Sequence, residues 1–377
     1  MKIGFDAKRA TQNFTGLGNY SRFVINNLVK FYPDNFYELF SPKPSVGKVD
    51  TEIAKGNNVK IFVKEGFKLF WRTLGIVKDI KNENITLYHG LSNELPYKIN
   101  KSGAKSIVTI HDLIFLRHPK FYPVIDRNIY NIKARYACKV ADRIVAVSEC
   151  TKRDIIEYYG TDPNKIDVVY QGCFSIFRNR VDGSKKQQVI DKYNLPPRFL
   201  LSIGSIEERK NILLIVKALK SIPNIHFVAI GKQRKYAEKV KQYALEHGLE
   251  DRVHLLSNVA LEDLPAVLQL SEIFIYPSFY EGFGIPIIEA LSSEVPVIAA
   301  KGSCLEEAGG SHSIYIDPHN ENELATEIDS VLNDNNLKEK MVQEGIEYVK
   351  RFSDQKCTDD LMEVYKKISA PSPISII

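Results

Sequence analysis

Cysteine is scarce in this chain and follows no pattern: Cys138, Cys150, Cys173, Cys304 and Cys357 stand far apart, with no Cys-x-x-Cys pair. That spacing excludes a zinc ribbon or a disulfide framework and fits a reducing cytosol. No apolar run approaches the roughly 18–20 residues that would span a bilayer. Metal-binding patterns are missing too: there is no His-Glu-x-x-His, no Asp-x-Asp at a strand end and no His/Cys cluster at ligand spacing. Asp359-Asp360 reads as the solvated face of a late helix. Excess charge is also slight. The net +5 comes from basic residues spread along the chain, which does not suggest a nucleic-acid binder. No internal repeat of fixed period is visible. The first residues, Met1-Lys-Ile-Gly-Phe-Asp6, read directly as a strand, so no signal peptide is expected and a cytoplasmic location is.

What is present is a soluble, globular composition of 44% hydrophobic and 26% charged residues over 377 positions. That length fits two domains of roughly 150–200 residues better than one core. Short apolar runs alternate with amphipathic stretches. Strands are expected at 2–5, 60–63, 86–89, 106–110, 143–147 and 166–169, with helices such as 19–31 and 126–138 between them. After a polar joint near 179–195 the alternation restarts, with strands at 199–203, 226–230, 253–255, 273–276 and 297–300. Strands separated by helices of this length predict an α/β fold with parallel, doubly wound sheets. Two domains facing a central cleft follow, the first over 1–180 and the second over 190–350. A last helix, broken near Phe352-Ser353, runs to about 370 and rejoins the first domain, and the tail from Pro371 is expected to be disordered.

The most informative stretch runs from Tyr276 to Glu289. An apolar strand leads into a loop holding Glu281, Gly282, Phe283 and Gly284, and a helix then starts at Ile285-Pro286 and carries Glu289. Proline suits a first helical turn, whose N–H groups lack intrahelical partners. The glycines let backbone approach a ligand, and the helix N-terminus offers amides and a partial positive charge. A phosphate socket flanked by two carboxylates suits a sugar nucleotide, one acid for sugar hydroxyls and one for a ribose. Taken alone, Glu289 also reads as an ordinary exposed helix glutamate. Arg209 and Lys210 follow a strand and Gly204, where paired cations would stabilise a departing diphosphate. With Glu207 and Glu208 before them they also read as a solvated charge cluster. His111 ends the run 106–110, a position for a ligand contact or for a core-edge histidine. Gly16 and Gly18 lie in the first strand-to-helix turn, but Ser21 breaks the G-x-G-x-x-G pattern and disfavours a dinucleotide site.

Glu281-Gly-Phe-Gly-Ile-Pro-Ile-Ile-Glu289-Ala resembles the E-x7-E signature of retaining, GT-B-fold glycosyltransferases of family 4 (glycosyl transferases group 1). Thr15-Gly-Leu-Gly18-Asn-Tyr, Thr109-Ile-His111-Asp112-Leu, Val147-Ser148-Glu-Cys-Thr151 and Gly204-Ser-Ile-Glu-Glu-Arg209-Lys210-Asn211 agree in order and spacing over nearly the whole chain. The resemblance implies two Rossmann-like domains, the first on the acceptor side and the second on the donor side. It assigns Glu281 to hydroxyls of the transferred sugar, Glu289 to the ribose, and the amides of Gly282–Gly284 to the distal phosphate or sugar. His111 would lie near the sugar's 6-hydroxyl, with Gly16 and Gly18 beside the donor phosphates and acceptor. Gly204, Gly231, Val259 and Ile285 complete the expected donor contacts, the base being read by backbone around Gly231 and 257–259. No cofactor or essential metal is implied, and a phosphate oxygen of the leaving group would accept the acceptor's proton.

Tyr88-His-Gly-Leu-Ser-Asn93-Glu-Leu-Pro96 resembles bacterial mannosyltransferases of the family. GDP-mannose is therefore the first donor expected, ahead of UDP-glucose, UDP-galactose or UDP-N-acetylglucosamine. The acceptor expected is a glycan or lipid-linked sugar in cell-surface polysaccharide synthesis. A GT-B sugar-nucleotide epimerase, a phosphorylase-like enzyme and a non-catalytic partner subunit are the alternatives. Peripheral contact with the inner face of the membrane is raised by 64–74, where Phe67, Phe70, Trp71 and Leu74 share a stripe edged by Lys64, Lys68 and Arg72. The competing reading packs that stripe on the first sheet.

Overall fold

In the computed structural model the residues described are 1–13, 15–44, 56–65 and 70–369. Phe67, Lys68 and the tail from Pro371 lie outside them. The chain divides into two compact units, one of Met1–Gly172 together with the stretch from Phe352, the other of Cys173–Arg351.

The first unit is built on seven parallel strands: β1 (Lys2–Asp6), β2 (Phe36–Ser41), β3 (Val59–Val63), β4 (Leu87–Gly90), β5 (Lys105–Ile110), β6 (Arg143–Ala146) and β7 (Ile166–Val168), in the order β3-β2-β1-β4-β5-β6-β7. The second holds six: β8 (Phe199–Ile203), β9 (His226–Ile230), β10 (Val253–Leu256), β11 (Ile273–Tyr276), β12 (Val297–Ala300) and β13 (Ile314–Ile316), in the order β10-β9-β8-β11-β12-β13. Every pairing is parallel. Each sheet starts at its centre, winds one way and then reverses, so a crevice opens beside β1/β4 and another beside β8/β11. This is the α/β, doubly wound architecture that the alternation predicts.

Central strands buried on both faces need near-continuous apolar runs, which is why those segments stand out in the sequence. Two strands escape that rule. In β2 the run is cut by Glu38, which is buried and ion-paired with Lys2 at 3.0 Å and Lys60 at 3.2 Å. β13 is only three residues long. The helices Gly16–Phe31 and Val124–Val140 extend slightly beyond the expected spans. Side-chain caps fix other helix starts: Ser148 accepts from the Thr151 amide and Asp182 from that of Lys185.

The final helix pair is Asn335–Val349 and Asp354–Ser369, separated by a 3-10 turn over Lys350–Phe352 at the expected break. Asp354–Ser369 packs Leu361, Met362, Val364 and Tyr365 into the core formed by β1, β4 and the helix Gly16–Phe31. There His89 of β4, fully buried, meets the Tyr365 hydroxyl through Nδ1 at 2.7 Å and Thr109 Oγ1 through Nε2 at 2.8 Å. Tyr20 reaches the same Thr109 oxygen at 3.0 Å. Burial pushes the His89 imidazole down to about 3, so it stays neutral and each ring nitrogen needs its neutral partner.

Tyr365→Phe leaves His89 Nδ1 buried and unpaired. The expected result is a loss of about 1–3 kcal/mol, read as an earlier urea transition. An unchanged transition would mean that this bond does not hold the returning helix.

Candidate functional site

Most of the candidate residues gather in the second unit, around the C-terminal ends of β8, β9 and β11. β8 runs into Gly204 (φ +148) and β9 into Gly231, whose N–H donates to Leu256 O at 2.9 Å. A Cβ on Gly231 would fall 2.0 Å from the Gly204 carbonyl oxygen, so the two turns lie backbone on backbone. Only glycine permits that approach. Val259 lies in the loop after β10, where Ser257 Oγ donates to Gly231 O at 3.3 Å.

The 3-10 turn Glu208–Lys210 carries both cations and ends in Asn211 (φ +55), whose side-chain amide donates to Pro277 O at 3.2 Å and Pro318 O at 2.7 Å. The Phe279 amide donates to Arg209 O at 2.9 Å, tying this turn to the loop after β11. Arg209 Nη1 lies 2.7 Å and Lys210 Nζ 2.6 Å from the same oxygen, Oε1 of Glu281. Arg209 also donates to Tyr280 O at 2.8 Å and to Glu207 at 2.9 Å. Lys210 Nζ donates to the Tyr276 hydroxyl and sits 4.7 Å from the centre of that ring. The cations therefore form a fixed, largely buried cluster with Glu281 rather than a solvated patch. Burial by itself would raise the Glu281 carboxyl, but Arg209 and Lys210 outweigh it and hold the group down at about 2. Glu281 is accordingly ionised throughout the physiological range.

Beyond Glu281 the loop is pinned by Cys304, whose thiol lies 3.1 Å from Glu281 O and 3.0 Å from Phe283 O. Gly284 (φ +119) precedes the helix Ile285–Ser292, and a Cβ there would press within 3.1 Å of Leu305 and 3.3 Å of Ala308. The amides of Gly284 and Ile285 have no acceptor among the described residues, as expected of a helix start with Pro286 in its first turn. Glu289 is on this helix. No ion pair or hydrogen bond reaches its carboxyl among the described residues, and burial raises it to about 7. The same loop and helix thus carry two open amides and two carboxyls, one held ionised by cations and the other without an ion pair or hydrogen bond among the described residues.

His111, Gly16 and Gly18 belong to the first unit. His111 follows β5, is buried, and through Nε2 donates to Leu91 O at 2.9 Å, which leaves Nδ1 unprotonated. Its own amide donates to Asn93 Oδ1 at 2.7 Å, and its ring stands edge-on to Tyr20 at 4.6 Å. Burial depresses its imidazole to about 4 despite the Leu91 bond, so His111 is neutral near pH 7. A Cβ at Gly18 would meet Asn13 O at 1.8 Å, whereas one at Gly16 would meet nothing within 4 Å. Only the second glycine of that turn is sterically required. Arg22 braces the turn by donating to Ala10 O at 3.0 Å and Asn13 O at 2.8 Å.

No motif announces a cavity of ≈ 240 Å³ in this unit, walled by Arg9, Glu94, Asp112, Tyr122, Tyr130 and Lys133 among others. Arg9 Nε is buried there without a hydrogen-bond partner among the described residues. Glu94 is held by Arg72 and, at 2.8 Å, by Lys133. The signal for it was only that Asn93-Glu94 and Asp112 directly follow strand ends. In the segment 64–74, Trp71 is buried, stacks on Phe62 and donates to Asp79 at 2.6 Å, while Phe70 and Leu74 are exposed. The core-packed reading therefore holds for Trp71. No described helix is long and apolar enough to cross a membrane.

Comparison with known proteins bears on the same segments. The model of glycosyl transferases group 1 matches residues 184–348, and that of glycosyltransferase family 4 matches residues 37–173. The chain is 26% identical to O-antigen chain mannosyltransferase B of Escherichia coli, over 97% of this chain and 100% of that one. It is 25% identical to the O-antigen chain mannosyltransferase RfbU of Salmonella typhimurium, over 80% of each. Among solved structures, a glycosyltransferase from Rickettsia africae superposes with a TM-score of 0.76 at 19% identity, covering 98% of this chain and 99% of that one. The Anabaena protein HepE, solved with UDP-glucose, does so with 0.74 at 19% identity, covering 97% and 100%. These structures share the GT-B fold of two Rossmann-like sheets.

The Glu289 carboxyl, at about 7 when folded against 4.5 in a free side chain, has a definite sign in stability. The unfolded chain releases this proton first, so folding stability falls as pH rises from about 4.5 to 7 and the full penalty remains above that. Glu289→Gln removes the penalty. The ligand-free variant is expected to melt higher than the parent at pH 8, by a margin that shrinks at pH 5.5. A margin independent of pH would show that Glu289 is not held protonated.

Proposed function

The chain belongs to the glycosyl transferases group 1, family 4, and from that membership we propose that it moves a hexose, in the first instance mannose from GDP-mannose, to a hydroxyl of a glycan or lipid-linked acceptor with retention of configuration. One observation carries the reading: Arg209 and Lys210 converge on Glu281 at the β8/β11 reversal, beside two open amides at a helix start. The second unit takes the donor. Arg209 and Lys210 take up charge developing on the departing diphosphate, with the amides of Gly284 and Ile285 as further donors. Glu281, ionised and fixed by its cations, accepts hydrogen bonds from sugar hydroxyls. Glu289, the one unpaired carboxyl of the pair, takes the ribose hydroxyls. The first unit takes the acceptor in the cavity walled by Asp112, Glu94, Tyr122 and Tyr130. Neutral His111 contributes hydrogen bonding to the sugar rather than a charge, and a phosphate oxygen of the leaving diphosphate receives the acceptor's proton.

Mannose is favoured by the two O-antigen chain mannosyltransferases among the relatives. UDP-glucose is the second reading, since HepE of the same fold was solved with it. A non-catalytic subunit is disfavoured because Glu281, Glu289, Arg209 and Lys210 are all present and arranged together.

A melting-temperature panel of GDP-mannose, UDP-glucose, UDP-galactose and UDP-N-acetylglucosamine separates the donors. A ligand at 100 times its Kd stabilises the fold by about 2.7 kcal/mol. GDP-mannose is expected to give the largest rise; a larger rise with a UDP-sugar transfers the reading to that donor. Arg209→Ala is expected to slow nucleotide release from the winning donor with acceptor present by at least ~100-fold. An unchanged rate would remove Arg209 from the reaction.

A further inference from the structure

Three arginines surround the end of β1, and two of them are fully committed. Arg22 donates to Ala10 O at 3.0 Å, Asn13 O at 2.8 Å and Asn19 Oδ1 at 2.6 Å. Arg72 is held between Asp6 and Glu94. Arg9 is the exception. Its guanidinium makes no ion pair and no hydrogen bond among the described residues, and its Nε is buried. It stands on the short helix Lys8–Gln12 that follows β1, and it lines the cavity of ≈ 240 Å³. A planar fork of donors, partly withdrawn from water and given nothing to bind, keeps its hydrogen-bonding capacity for a ligand.

The surrounding charge fixes the sign of that ligand. Of the acids at the cavity, Glu94 is ion-paired with both Arg72 and Lys133, and Asp112 Oδ1 accepts from the Ile114 amide at 3.1 Å. Neither is bonded to Arg9. The Lys8 ammonium senses the cationic excess: burial pushes it below its ordinary value first, and repulsion by Arg72 and Arg9 outranks attraction by Glu94 and Asp6. The charge of Arg9 also reaches His111 and helps to keep that imidazole neutral. Phe115, Tyr122 and Tyr130 complete the wall, packed edge to face with ring centres 6.0–6.4 Å apart. Aromatic rings beside a few convergent polar groups are the make-up of a small-molecule site. An unsatisfied guanidinium among them selects for an oxyanion, because its fork binds a carboxylate or phosphate through two parallel N–H···O bonds. We propose that the sugar seated in this cavity is acidic, with a carboxylate or phosphate-ester group gripped by Arg9, and that a neutral hexose is a poor occupant. The inference rests on the reading of this cavity as the acceptor side and adds the class of acceptor to it.

The test is titration calorimetry of the full chain, without donor, with methyl α-mannoside, mannose 6-phosphate, methyl glucuronide and inorganic phosphate. The two acidic sugars separate phosphate from carboxylate, and inorganic phosphate separates the anion from the sugar. At least one acidic sugar is expected to bind ~10-fold or more tightly than the neutral one. It is also expected to bind more tightly than inorganic phosphate and to lose its advantage in Arg9→Gln, whose melting temperature stays that of the parent. Arg9→Lys keeps the charge but not the fork and is expected to restore part of the preference. Arg209→Ala, in the second unit, is expected to leave the preference intact. Methyl α-mannoside binding as tightly as the acidic sugars, a preference untouched by Arg9→Gln, or no binding by either acidic sugar overturns the proposal. So does a preference lost in Arg209→Ala, since the anion then sits in the second unit, or inorganic phosphate binding as tightly as the acidic sugars. A parent with no donor-induced rise in melting temperature but an Arg9-dependent preference sinks the transferase reading and leaves the acidic-sugar site standing.

Discussion

The second unit depends on the ion cluster of Arg209, Lys210 and Glu281. Three charged groups withdrawn from water are tolerable only because each supplies what the others need. Breaking such a buried set by removing one member costs about 3–5 kcal/mol, because the survivors stay buried and unpaired. The cluster also spans the two loops that follow β8 and β11, so the same contacts that satisfy the charges fix the loop geometry. Asn211 and the Phe279 amide close that junction from the backbone side. On the proposed reading, a cluster so braced would not need to reorganise as negative charge develops on a departing diphosphate, the condition under which electrostatic stabilisation is most effective.

Glycine sets the second constraint. Gly231 against Gly204, and Gly284 against Leu305 and Ala308, leave less space than a methyl group needs. The ends of β8 and β9 and the start of the helix Ile285–Ser292 can therefore present bare backbone. Gly16 has no such restriction, so the first-unit Gly-x-Gly is a half-motif in steric terms. Its second glycine packs the turn onto Asn13, and its first is free for whatever lies beside it.

Most of the fold was legible because parallel strands buried on both faces must be continuous apolar runs. β2 was hidden by Glu38, a charge that pairs with two lysines from neighbouring strands, and no local pattern reports partners so remote in sequence. β13 is shorter than any window in which alternation can be judged. In the site, the spacing of Glu281 and Glu289 and the Arg209-Lys210 pair were readable as a motif. That the cations grip Glu281 rather than stand apart from it is a tertiary fact. The helix Val124–Val140, whose Val124, Ile125, Ile129 and Ile132 are exposed, marks another limit. Periodicity reveals that a helix has an apolar side, but only the small inward residues Ala134, Ala137 and Cys138 decide which side meets the core. In the segment 64–74 the same ambiguity resolves residue by residue, with Trp71 inward and Phe70 and Leu74 outward.

Glu281 and Glu289 show how one loop and helix can set two carboxyls apart. Glu281 is buried and Glu289 half-buried, and in each case burial by itself raises the carboxyl. Glu281 is given two cations and stays ionised; Glu289 is given none and sits near 7. The first is a finished interaction that holds its shape with or without ligand. The second is an unfinished one, a carboxyl whose charged form is penalised until donors arrive to meet it. A vicinal diol supplies two such donors at once, and ionisation of Glu289 then strengthens both bonds. On the proposed reading, in which Glu289 takes the ribose hydroxyls, such a diol would meet the cost of the unpartnered carboxylate.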